Sequence, residues 1–96
     1  MDVEKFKQLL NEMLDLYQKK NHDYGGSITD TYNKYGPLSF SVRMRDKLNR
    51  FDTLASAEDA QMVHGEKIHD TLIDLANYAL LAIIEEERER KAKTNS

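Results

Sequence analysis

The chain predicts an all-α fold: a compact domain of three to four helices, assembled as a homo-oligomeric helical bundle. Apolar residues recur at three- and four-residue steps over most of its length, the spacing of buried helical stripes. One proline and four glycines leave few interruptions, and there is almost no alternating β-branched run. Ninety-six residues make one domain with a small core, and helical chains of this size often gain burial by self-association. The expected domain spans 1–86, followed by a charged tail, 87–96, that frays or is disordered.

The first helix is expected over 3–20. Val3, Phe6, Leu10, Met13 and Tyr17 form its seam, with Leu9, Leu14 and Leu16 broadening it. Asp2 suits the N-cap, Glu4 the first turn, and Lys19 and Lys20 the last, all in keeping with the helix dipole. Residues 21–36 read as a loop, because Gly25-Gly26 lies among Asp, Asn, Ser and Thr. That segment holds Tyr24, Tyr32 and Tyr35, three of the five tyrosines. Pro37 suits the first turn of a second helix, whose seam is Phe40, Met44, Leu48, Phe51 and Ala55. Its other faces carry Arg43, Arg45, Asp46, Lys47, Asn49 and Arg50. Residues 56–65 fit either a short helix or a surface connection.

A last helix over 66–84 has two faces. Ile68, Leu72, Leu75, Ala76, Ala79 and Ile83 form a stripe expected to be buried. Opposite it, Glu66, Asp70, Asp74 and Asn77 share a narrow arc, with Cβ atoms four residues apart held roughly 5–6 Å from each other. Carboxylates so spaced can share a hard cation. The plain alternative is a solvated face. Against it, Ile73, Leu80, Leu81 and Ile84 flank the arc, so the helix is apolar nearly all round and the acids are expected in a groove. Leu80, Leu81 and Ile84 are the expected contacts of a homodimer or higher oligomer.

Composition removes several classes of function. Without cysteine there is neither a disulfide framework nor a thiolate metal site. His22, His64 and His69 have no zinc-ligand spacing. No apolar run approaches the ~20 residues that span a bilayer, and the N-terminus lacks a basic–apolar signal pattern. A cytoplasmic location is expected, with no membrane partner. The formal charge of −3 argues against direct nucleic-acid binding. What remains is an acidic stripe, a basic cluster and a tyrosine-rich segment, which converge if the second and last helices pack antiparallel. Mg²⁺ takes oxygen ligands and bridges to substrate phosphates. Arg43, Lys47 and Arg50 can meet phosphate oxygens, and tyrosine rings can stack on a base. Each cluster also has a plain structural reading: surface ion pairs for the charges, a sealed core for the tyrosines.

The runs Lys20-Asn21-His22-Asp23-Tyr24-Gly25, Tyr35-Gly36, Val42 to Arg50 and Asp70 to Ala79 stand in order along the chain. Together they resemble the nucleotide modification associated domain family (type 1), over roughly residues 4–84. That family is common in phages and mobile elements and is considered distantly related to the MazG-like all-α NTP pyrophosphatases. The resemblance implies a nucleotide or nucleotide-derived ligand and, for a phage-encoded protein, the host cytoplasm. MazG-like enzymes bind Mg²⁺ through two acidic helix motifs, each with acids three residues apart, and activate water on a nucleoside triphosphate. The second motif falls at Asp70 and Asp74, four residues apart here, with Glu66 one turn earlier, and these three are the expected metal ligands. Asp46 joins them as an expected catalytic residue, but Asn49 stands where the first motif has another acid. Asp23, Tyr24, Arg43, Lys47, Asn49, Arg50 and Asn77 are the expected nucleotide contacts. Two activities follow: a Mg²⁺-dependent nucleoside triphosphate pyrophosphohydrolase, or a sponge-like protein that binds nucleotides without cleaving them.

Overall fold

A computed structural model describes residues 2–24, 26–56 and 61–94, with side chains described outside 21–24 and 61–65. Its elements are four α-helices: α1 (Val3–Tyr24), α2 (Ser27–Tyr35), α3 (Leu38–Ser56) and α4 (Gln61–Thr94). No strand occurs among the described residues, so the all-α expectation holds.

α1 begins as expected, with the Asp2 carboxylate accepting the Lys5 amide at 3.0 Å. It ends later, at Tyr24. Most of the expected loop over 21–36 is helix: α1 reaches Tyr24, and after a turn at Gly26 α2 begins at Ser27. Low helix propensity at Ser, Thr, Asp and Asn is a weak prior that tertiary contacts override. Here the contacts are specific: Tyr32 is buried against Phe40, ring centroids 6.0 Å apart. Thr29 and Asn33 bond to α4.

Gly36 ends α2 with φ +72° and ψ −159°, a backbone region open essentially to glycine alone. Its amide donates to the Tyr32 carbonyl at 2.7 Å. α3 starts directly after Pro37, as expected.

Of the 56–65 connection, Ser56 closes α3 and residues from 61 onward belong to α4; 57–60 lie outside the described residues. At its other end α4 runs through the expected frayed tail to Thr94. The mixed charges there are helix-stabilising pairs in the favourable order, Glu86 with Arg90 and Glu89 with Lys93.

α3 and α4 pack antiparallel: Arg43 lies beside Tyr78 and Lys47 beside Asp74. α1 also runs against α4, with Asn77 reaching the Met13 carbonyl and Lys20 reaching Asp74. α2 lies alongside the C-terminal part of α4 in the parallel sense, since Thr29 meets Glu85 and Asn33 meets Arg88. The expected buried stripe of α4 needs correction. Leu72 and Ile83 are about half exposed, whereas Ile73 and Thr71 are buried. α3 and α1 both approach the side of α4 that carries Asp74, so that side turns inward and part of the apolar stripe turns outward.

Candidate functional site

Asp74 lies where α1, α3 and α4 meet. Its side chain is 16% exposed and carries two ion pairs: Lys20 Nζ to Oδ1 at 2.6 Å and Lys47 Nζ to Oδ2 at 3.0 Å. Burial pushes the carboxyl up, but hydrogen bonds from both lysines outweigh it and hold Asp74 below the usual aspartate range. One turn along α4, the ring of Tyr78 carries the Arg43 guanidinium at 5.9 Å from its centroid. Two ammonium groups from α1 and α3 thus meet on one carboxylate and a third cation, Arg43, lies one turn along α4, which makes this junction of three helices a candidate cleft. Asn77 borders it, donating a long hydrogen bond of 3.4 Å to the Met13 carbonyl.

The remaining expected site residues are distributed differently. Glu66 and Asp70, earlier on α4, are exposed. Asp46, Asn49 and Arg50 are also exposed on α3. Arg43 and Lys47 turn towards α4, so the basic face divides between cleft and solvent. The side chains of Asp23 and Tyr24 lie outside the described residues. Of the three tyrosines, the two with described side chains, Tyr32 and Tyr35, do not join the cluster at Asp74. Tyr32 belongs to the core, and hydrogen bonding to Glu89 together with burial pushes its hydroxyl up to about 12. Tyr35 is exposed, with the Lys34 ammonium 5.4 Å from its ring centroid. Of the acidic stripe and the basic cluster, only the inner members meet.

Lys20 was missed as a site residue, although it opens the first sequence block quoted above. Its separation of 54 residues from Asp74 makes the pairing invisible to helical spacing. A second polar cluster was also missed. Glu85 is buried, accepts from the Thr29 hydroxyl at 2.6 Å, and takes two bonds from Arg88 at 2.9 and 2.6 Å. Arg88 also donates to the Asn33 amide oxygen at 2.8 Å. This group fastens α2 to α4.

The arrangement does not fit Mg²⁺ held by Glu66, Asp70 and Asp74. The one carboxylate of the three that faces the cleft is already neutralised by two ammonium groups. Among the described residues no three His, Asp or Glu side chains are grouped to share a metal ion. The donor set instead suits an anion: lysine and arginine hydrogen bonds to phosphate are charge-assisted, and an ammonium group carries three N–H donors.

Among the described residues the fold is all-α. The chain belongs to the nucleotide modification associated domain 1 family, whose profile matches residues 20–85, from the first lysine of the cleft to the glutamate that anchors α2. No curated protein and no solved structure matches it. No helix among the described residues is long and apolar enough to cross a membrane.

Proposed function

We propose that the protein binds a nucleotide or nucleotide-derived small molecule, holding its phosphates in the cleft between α1, α3 and α4. The observation that carries this reading is the convergence of Lys20 and Lys47, from separate helices, on the partly buried Asp74. A carboxylate there does two things. It holds two like charges together in the absence of ligand, and it positions the Lys47 ammonium, a group with three N–H donors, for an incoming anion. Arg43 supplies a further cation at the same mouth. Binding without cleavage is the form of this function that the geometry supports best, because Asp74 is committed to ammonium groups.

Hydrolysis is the second reading. It rests on the family resemblance and on Glu66 and Asp70, which precede Asp74 by two turns and one turn of α4. As a phage or mobile-element protein, the chain would then act as a Mg²⁺-dependent nucleoside triphosphate pyrophosphohydrolase. As a binder, it would sequester nucleotides or nucleotide signals in the host cytoplasm. Incubation with a panel of ribo- and deoxyribonucleotides, with Mg²⁺ or with a chelator, separates the two. The expected result is ligand recovered intact after denaturation, with binding that persists in chelator. Release of pyrophosphate or phosphate in Mg²⁺ alone would select the hydrolase, and retention of no nucleotide under either condition would overturn the binding function itself.

A further inference from the structure

The face built by α1 and α4 has no cover among the described residues. Phe6, Leu10 and Leu14 are 57%, 45% and 52% exposed, and Leu80 and Ile84 are 45% and 52% exposed. Between the two helices runs a groove of about 240 Å³ whose lining includes no charged side chain; Tyr17 and Asn77 are its polar members. A monomer rarely leaves so continuous an apolar surface in water.

The rest of the structure indicates what covers it. Among the described residues, the hydrophobic side chains less than a tenth exposed are Tyr32, Phe40 and Ile73, and none lies on α1. The apolar side chains of this 22-residue helix are at most partly covered by its own chain, and helices with little tertiary packing are marginal in water. The radius of gyration is 15.7 Å, against about 13 Å for a compact chain of this length. The cover is therefore needed for folding itself, at all times. The constituent always present with the chain is another copy of it, and two-fold pairing is the commonest solution among soluble assemblies.

The surface also suits its own image. α1 and α4 run antiparallel with apolar residues at three- and four-residue steps, so two such pairs face to face complete a four-helix bundle. The uncharged groove lets identical surfaces meet without like charges opposing each other.

We propose that this face docks a second copy of the chain, giving a two-fold dimer with a four-helix core of α1 and α4 from each protomer. Because Lys20 reaches Asp74 from α1, the dimer also steadies one wall of the cationic cleft. The proposal stands whether or not that cleft takes a nucleotide, and its test uses no ligand.

Sedimentation equilibrium at micromolar concentration should give about 22 kDa, twice the chain mass of 11.2 kDa. Thermal melting followed by circular dichroism over about a hundred-fold dilution should show a midpoint that falls with concentration, as mass action requires of a dimer. Ile84→Lys and Leu10→Lys should each abolish the dimer. Val42→Lys, at an exposed position on α3, should leave it intact. A folded particle of about 11 kDa, with a midpoint indifferent to dilution, would overturn the proposal. So would a larger closed assembly, or a dimer that survives Ile84→Lys and Leu10→Lys but is lost in Val42→Lys. Wild-type mass and dilution behaviour decide the matter even if the lysine variants fail to fold.

Discussion

Asp74 holds two ammonium groups in a setting where losing the carboxylate leaves both without their shared counter-charge. Asp74→Asn is therefore expected to lower stability by about 1.5–3 kcal/mol, the range for hydrogen bonds to charged groups, read as a drop in the denaturation midpoint. The pH dependence follows from the direction of the shift. Asp74 titrates lower when folded than its ordinary 3.8. Its contribution is fully present above the unfolded value and is lost as pH falls through the lower folded value. Wild type and Asp74→Asn should thus differ in stability near neutrality and converge in strong acid. Residue spacing put Glu66, Asp70 and Asp74 together in a groove; Glu66 and Asp70 are exposed, and only the partly buried position of Asp74 was legible. Its partners were not. Helical spacing relates residues three or four apart, whereas Lys20 and Lys47 arrive from other helices. The same limit explains Tyr32, whose ring looks equally suited to stacking on a base or filling a core until Phe40 and Glu89 are seen beside it.

At the scale of elements, α2 is the part that sequence patterning misjudged. Its polar composition and neighbouring glycines mark a loop, yet Thr29 and Asn33 are polar because they bond to Glu85 and Arg88 across the helix pair. Contacts made so far along the chain leave no local signature. The glycines retain separate meanings. Gly36 has φ +72° and would suffer backbone strain as any other residue, although space for a Cβ is open around it. Gly26 has an ordinary φ of −89° and equal space. Gly36→Ala is expected to cost about 1–3 kcal/mol and Gly26→Ala much less. Chemical denaturation of the two variants checks this, because a steric origin would make them alike. The C-terminal turns of α4 carry a related lesson. Mixed charge reads as a solvated tail, but Glu86–Arg90 and Glu89–Lys93 are spaced to support a helix.

At the scale of the molecule, a 34-residue α4 acts as a spine about 50 Å long, which accounts for most of the 54 Å long axis. Its Asp74 side gathers α1 and α3 around the cationic cleft; α2 is fastened farther along, and the α1/α4 face stays open. The antiparallel pairing of the second and last helices was only a condition on which the clusters would converge, whereas the all-helical class was legible because a 3.6-residue apolar period has few other solutions. Which side of α4 turns inward was not, because a helix apolar nearly all round supports several packings. The central claim is that phosphate is held by the lysines that converge on Asp74. Calorimetric titration of a binding nucleotide into wild type, Lys47→Ala and Arg50→Ala, in the presence of chelator, tests it most directly. Loss of the Lys47 ammonium should weaken binding by about 1.5–3 kcal/mol, roughly ten- to a hundred-fold, with a smaller loss for the solvent-facing Arg50. Equal affinity for wild type and Lys47→Ala would contradict the account and place the nucleotide outside this cleft.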